Sequence, residues 1–424
     1  FQRVTSQEWY RGGADVELSI AFCGLSVHTR SFNFKMAQDQ PAGEIITRAR
    51  VSPWRAVPME EAYALIEQHM PQGTCKFVQA NYAKPGLVLV SRLTSRTNVP
   101  EYHTSVKDGY AVIAADPSPT RRVVRAQVAA PVSSPFEATP LEFGECVRIC
   151  TGGILPPGAD AVVMVEKTEL VEHDGTEERV IRVLTEVAKG QDVRSPGSDM
   201  LEGDVLLHER TVIRSAEVGI LASNAKRDIE VFRSPRVCVM STGNELVDSC
   251  MDEVKPGQVR DSNRPQLEAL FFQRGFKPID MGIVSDNRAS LIEAISASLR
   301  ISPVLVTSGG VSMGEKDLMK SVLERDFNFK IHFGRVWMKP GLPATFATGV
   351  FEDTECAVFA LPGNPVSSWV CAELFAVPAL RRMAGHRNPY QTRLRVKLGS
   401  EVKLDPRPEF VRALLLPPAP LPSP

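Results

Sequence analysis

Residues 307–317 read TSGGVSMGEKD and directly follow the apolar run PVLV at 303–306. Two adjacent glycines let backbone N–H groups come close to a bound group, two hydroxyls and Lys316 add donors, and the start of a helix adds partial positive charge. That set suits a phosphate or another oxyanion. Glu315 and Asp317 would repel a bare anion, so a divalent cation between them and the phosphate is expected, with Mg²⁺ the simplest choice. Two more strand-to-helix turns share this character, STGNEL at 241–246 and LPGNPVSS at 361–368. One such turn is ordinary, because glycine and serine are common where a strand enters a helix. Three on one edge of a doubly wound sheet predict a single site, strengthened by Lys339.

Other chemistries fit poorly. Gly309 and Gly314 have the glycine spacing of a nucleotide-triphosphate loop, but Glu315 stands where that loop needs lysine. No GxGxxG follows a strand, and no GxSxG elbow occurs. The seven histidines are scattered without metal-ligand spacing. Eight cysteines include no CxxC pair, and Cys146 with Cys150 has no second pair nearby, so reduced thiols are expected rather than a zinc site or disulfides. A formal net charge of −1 gives no global field for nucleic acid or an anionic membrane, so any anion must be held locally. The apolar stretch 18–27 falls short of the roughly 18 residues of a membrane span and lacks signal-peptide flanks. The expected location is cytoplasmic.

The elements that must carry these turns are legible from residue 237 onward, where short β-branched runs alternate with segments of helical period. Strands are predicted at 236–240, 279–284, 303–308 and 356–361. Helices are predicted at 265–276, 288–300 and 315–326, with a long one from about Pro365 to Gly385. This is a three-layer α/β domain around a parallel sheet. Residues 109–210 carry short alternating runs between Gly, Pro and Asp, the pattern of an inserted all-β module. Residues 52–70 predict an amphipathic helix with Met59, Ala62, Tyr63, Leu65 and Ile66 on its apolar face. The chain of 424 residues is long enough for several domains. It begins with Phe1 and ends on the proline-rich LLLPPAPLPSP, which reads as a fragment or a faulty reading frame.

Eight motifs in series resemble one family, the MoeA-like molybdopterin molybdotransferases and the E domain of gephyrin. They are SVKDGYAV (105–112), TGGILPPGADAVV (151–163), MSTGNEL (240–246), RDSN (260–263), TSGGVSMGEKD, FGRVWMKPGLP (333–343), LPGNPVS and DPRPEF (405–410). The resemblance runs from about residue 52 to 413, and the forms TSGGVSMGEKD and MKPGLP look closest to the gephyrin-like branch. It implies an unassigned leader (1–51), an elongated dimerisation domain (52–108 and 211–233), an inserted β-rich lid (109–210), an α/β molybdopterin-binding domain (234–388) and an incomplete C-terminal β domain (389–424). It further implies a homodimer and a reaction on two small-molecule substrates, adenylated molybdopterin and molybdate. With Mg²⁺, molybdenum enters the dithiolene and AMP is released.

Carried over by position, Asp317, Asp286 and Glu245 resemble the acidic residues around the metal and the phosphoanhydride. Ser308, Gly309, Gly310, Ser312, Lys339, Pro340, Pro343 and Ser367 resemble contacts to the pterin phosphate and molybdate, and Arg407 resembles an arginine that helps hold molybdate. Asp108 and Thr151 are implied to complete the site of a partner subunit. Asp108 also suits a plain Asp-Gly turn, whereas Lys339, between an apolar strand and PGLP, has little structural work in view.

Departures from the family pattern are specific. Leu342 stands where many members have a second lysine, and NVPEYHTS (98–105) replaces a proline-rich lead-in. An incomplete C-terminal domain is expected to leave Arg407 without a tether and molybdate weakly bound. Two alternatives remain: a molybdopterin adenylyltransferase, which shares the α/β domain, and a receptor-anchoring scaffold of the gephyrin kind, where Tyr63 replaces a phenylalanine.

Overall fold

The computed structural model describes residues 2–3, 17–19, 54–127, 139–224, 228–311, 318–396 and 405–414. Its centre is a six-stranded sheet in the order Lys277–Val284, Arg236–Thr242, Val304–Ser308, Thr354–Leu361, Thr345–Phe351, Lys330–Phe333. The first four strands run parallel. Their near-continuous apolar runs follow from burial on both faces. Val237, Val239, Val304 and Val306 face one helical layer, while Cys238, Met240 and Leu305 face the other. Period-two alternation thus splits each strand between two cores.

One layer holds the helices Met59–His69 and Asn263–Gln273 and the helical run Pro365–Met383, which contains a π-helical turn at Ala372–Ala376. The other holds Arg288–Ile301 and Leu318–Arg325. Met59, Ala62 and Ile66 of the predicted amphipathic helix are buried there, with Tyr63 and Leu65 packed against the same core. The predicted helix at 315–326 is described from Leu318 only.

The sheet is mixed, which corrects the parallel reading. Thr345–Phe351 is a strand the sequence did not announce, and it pairs antiparallel with both Thr354–Leu361 and Lys330–Phe333. A two-residue turn makes the hairpin, with Glu352 and Asp353 at φ of 45° and 62°. Such turns normally advertise themselves by glycine or asparagine, and neither occurs here.

Six strands between Gly109 and Val183 form a second sheet, with the buried core residues Tyr110, Val112, Cys146 and Val163 on one face and Ala111, Val147, Ile149 and Val162 on the other. The chain leaves for it and returns as antiparallel partners. Cys75–Gln79 pairs with Asp228–Phe232, Leu93–Thr94 with Val205–Leu207, and Thr104–Ser105 with Val193–Arg194. The leader pieces Gln2–Arg3 and Glu17–Ser19 pair with Ala413–Leu414 and Arg393–Arg395.

Candidate anion site

The three glycine turns leave neighbouring parallel strands at one level, because Ser241 pairs with Ser308 and Ser308 with Leu361. Gly309 and Gly310 adopt φ of +95° and +69°, a region that L side chains avoid. A Cβ on Gly309 would sit 2.3 Å from the Thr242 carbonyl oxygen, and one on Gly310 would sit 2.9 Å from Thr242 Oγ1. A Cβ on Gly363 would lie 3.6 Å from the Gly309 Cα. At Gly309 the backbone packs against backbone too closely for any larger residue, at Gly310 the positive φ favours glycine, and Gly363 lies in ordinary contact with Gly309.

Side chains tie them together. Asn263 Nδ2 donates to Ser308 Oγ over 2.6 Å and to the Gly363 carbonyl over 2.8 Å. Ser241 Oγ donates to Asp261 Oδ1 over 2.9 Å. Gly309 N donates to the Leu361 carbonyl over 3.0 Å. Asn364 caps the helix that starts at Pro365 by accepting from Val366 N and Ser367 N, each over 3.1 Å. Ser367 Oγ donates to the same Asn364 Oδ1 over 3.3 Å.

Glu245 is exposed and folds back over its own turn, its Oε1 2.7 Å from where a Gly243 Cβ would be. Asp286 lies beside it, since Asp286 N donates to Asn244 Oδ1 over 3.0 Å. Among the described residues, no group of three His, Cys, Asp or Glu is placed to hold a metal ion. Ser312, Glu315, Lys316 and Asp317 lie outside the described residues.

The lysine loop is seated on the same helix, for the Cys371 thiol approaches the Gly341 carbonyl at 3.7 Å, and Pro343 O accepts from Thr345 Oγ1 over 3.3 Å. Lys339 has clear structural work, contrary to expectation. Its Nζ lies 3.0 Å from Glu409 and 3.2 Å from Asp405, and these carboxylates hold its pKa above the usual range. Its backbone also pairs with the 408–410 segment, Lys339 N donating to the Pro408 carbonyl over 2.9 Å and Phe410 N to the Lys339 carbonyl over 2.7 Å.

Arg407 is tethered too, which corrects the expectation of a loose side chain. Asp405 accepts from its Nε, Nη2 and backbone N. These bonds from Arg407, with Lys339 adding to them, hold the Asp405 carboxyl well below the usual range. A carboxylate two positions away holds the guanidinium fork of Arg407.

In the lid, Asp108 Oδ1 accepts from Thr151 N over 2.6 Å and from Thr151 Oγ1 over 3.0 Å. Those bonds lower its pKa. Both residues are exposed, and the two predicted lid positions do form one unit. A cavity of about 760 Å³ lies elsewhere on the lid, lined among others by Arg122, Glu145, His173 and Arg179 but by neither Asp108 nor Thr151. Tyr63 packs its ring 5.8 Å from Phe375 and 5.3 Å from Tyr390.

The sequence reading missed Asn263, Asn364 and Asp405 as organisers. Each stands inside a motif already quoted, and the signal was a short polar residue immediately before or at a helix start or turn.

Comparison with known proteins shows the family. The MoeA N-terminal region (domain I and II) matches residues 57–225, and a probable molybdopterin binding domain matches residues 238–382. The molybdenum cofactor synthesis protein cinnamon of Drosophila melanogaster is 36% identical over 87% of this chain and 58% of its own length. Gephyrin of Dictyostelium discoideum is 33% identical over 86% of this chain and 56% of its own. The chain thus spans less than two thirds of those two relatives. A molybdopterin molybdenumtransferase of Nostoc sp. is 36% identical over 72% of this chain and 68% of its own. Among solved structures, a molybdopterin biosynthesis MoeA protein of Pyrococcus horikoshii reaches a TM-score of 0.65 at 28% identity, covering 78% of this chain and 81% of that one.

Proposed function

Because the chain belongs to the MoeA-like molybdopterin molybdotransferase family, we propose that it transfers molybdenum from molybdate into adenylated molybdopterin and releases AMP. The observation that carries this reading is the three-turn cradle, with Ser308 and Gly363 fastened by one asparagine, beside a lysine loop seated on the same helix. The Gly310 N–H and the positive end of the helical run that starts at Pro365 serve the phosphate oxygens, Gly309 N, Val366 N and Ser367 N being engaged within the cradle itself. Lys339 and Arg407, held by Asp405 and Glu409, would bind and orient molybdate.

Glu245 and Asp286 flank one turn and offer hard oxygen donors, which fits Mg²⁺ that keeps waters and phosphate oxygens in its shell. Asp317, outside the described residues, is carried as a third carboxylate by the family resemblance alone. When bound, Mg²⁺ offsets the phosphoanhydride charge and polarises the bond broken as AMP leaves.

The proposal includes a homodimer in which Asp108 and Thr151 serve a partner's site, and a place in the cytosol. Among the described residues no helix is long and apolar enough to cross a membrane. The test supplies adenylated molybdopterin plus molybdate in one assay and molybdopterin plus Mg-ATP in another. Molybdate-dependent AMP release supports the transferase. Adenylylation in the second assay without release in the first rejects it.

A further inference from the structure

We propose that Asn263 is a positioning residue of the anion site, whose two amide donors set the spacing between the Ser308–Gly310 turn and the Gly363 turn. The inference rests on the proposed function of that site.

Asn263 is 8% exposed and opens the helix Asn263–Gln273, whose Leu267, Leu270 and Phe271 are buried in the main core. Its backbone is therefore anchored from behind. Its Nδ2 carries two hydrogens, and each has an acceptor on a different turn, at 2.6 and 2.8 Å. Its Oδ1 is buried with no partner among the described residues, so the amide is held by donation alone. Ser308 Oγ continues the chain by donating to the Pro362 carbonyl over 3.3 Å.

The same segment reaches the remaining turn. Asp261, 1% exposed, accepts from Ser241 Oγ, and its charge is met by Arg264 Nε at 3.0 Å. Residues 261–264 thus touch all three glycine turns at once. An oxyanion held between two turns binds well only if their separation is fixed to about 0.5 Å. The Gly309 N bond to the Leu361 carbonyl links the two strand ends, and Asn263 adds the link that reaches Gly363 itself.

Only an amide at this reach meets the demand. Ionised aspartate is isosteric but has no donors, leucine has none, and glutamine places its donors a methylene farther out.

The test uses the full chain with Mg²⁺ and two probes, AMP and inorganic pyrophosphate, titrated calorimetrically well below the melting temperature. Asn263→Asp and Asn263→Ala are each expected to weaken both probes about tenfold to a hundredfold, as loss of a group supporting a ligand does. Asn263→Ala combined with Ser308→Ala is expected to lose less than the sum of the two single variants, since each single change already removes the Asn263–Ser308 hydrogen bond. Variants that melt earlier yet bind within twofold of the parent overturn the inference and make Asn263 purely structural. Additive losses in the double variant overturn it as well. If Asn263→Asp does not fold, Asn263→Ala and the double variant decide alone. A parent that binds neither probe rejects the reading of the site itself, and this inference with it; a parent that binds beside unaffected variants rejects only the inference.

Discussion

Asp405 and Arg407 form a closed fork, Nε to Oδ1 at 2.9 Å and Nη2 to Oδ2 at 3.2 Å, and the same carboxylate meets Lys339 Nζ at 3.2 Å. One acidic side chain therefore aims two cations. Asp405→Ala is expected to weaken molybdate binding about tenfold by releasing both, and calorimetry reads the change. Tighter binding in the variant would make Asp405 a competitor of the anion instead of its organiser.

Gly309→Ala places a methyl group 2.3 Å from the Thr242 carbonyl at a φ of +95°. The left-handed conformation alone costs about 1–2 kcal/mol, and the clash adds to it. A lower denaturation midpoint and loss of AMP binding are expected. Gly219→Ala is the contrast: it lies in the helix Ser215–Ser223 with nothing within 4 Å of the new Cβ, and it is expected to stabilise by about 0.5–1 kcal/mol.

Glu245→Gln and Asp286→Asn are each expected to raise the Mg²⁺ concentration for half-maximal AMP release about tenfold. Asp317→Ala is expected to abolish release. A Mg²⁺ titration that superposes on the parent's in all three variants rules out the metal role.

Asp108→Ala and Asp317→Ala, each inactive alone, are expected to regain part of the activity when subunits are exchanged, because one heterodimer site then keeps both carboxylates. Exchanged heterodimers without recovery place Asp108 outside a partner's site.

His69 and His332 stack with ring centroids 3.9 Å apart and planes 16° from parallel, and a His332 ring nitrogen lies 2.7 Å from Thr348 Oγ1. Burial, then His69 and Lys330, push the His332 pKa down to about 4, and burial and Lys330 lower that of His69. Both values are depressed, so the unfolded chain binds more protons as pH falls below the ordinary histidine value of about 6.5. Their stabilisation is present above that value and is lost as pH falls toward 4. A melting-temperature loss on the order of 4 °C from about pH 7 to about pH 4.5 is expected, and His332→Gln is expected to reduce it.

The strands around the site were legible because each faces helices on both sides and so reads as an unbroken apolar run. The turns were legible because close backbone packing demands glycine. The Glu352–Asp353 hairpin was not, since left-handed residues other than glycine or asparagine carry no local mark. Asn263 stood in a quoted motif, yet its partners lie 45 and 100 residues away, a distance no local pattern spans. The Arg407 tether was missed for the opposite reason, because its partner was so near that a distant one was sought.

The paired outgoing and returning chains bear on how the molecule tolerates cleavage. The turn Asp174–Glu177 joins two lid strands and is exposed, as protease-sensitive loops are. A nick there yields two pieces, but the first keeps Cys75–Gln79 zipped to Asp228–Phe232 of the second. It also keeps Met59, Ala62 and Ile66 buried in the core that the second piece builds. The two pieces are therefore expected to co-elute in gel filtration after such a nick, which would make covalent continuity through the lid dispensable once the protein has folded; separate elution would show the opposite.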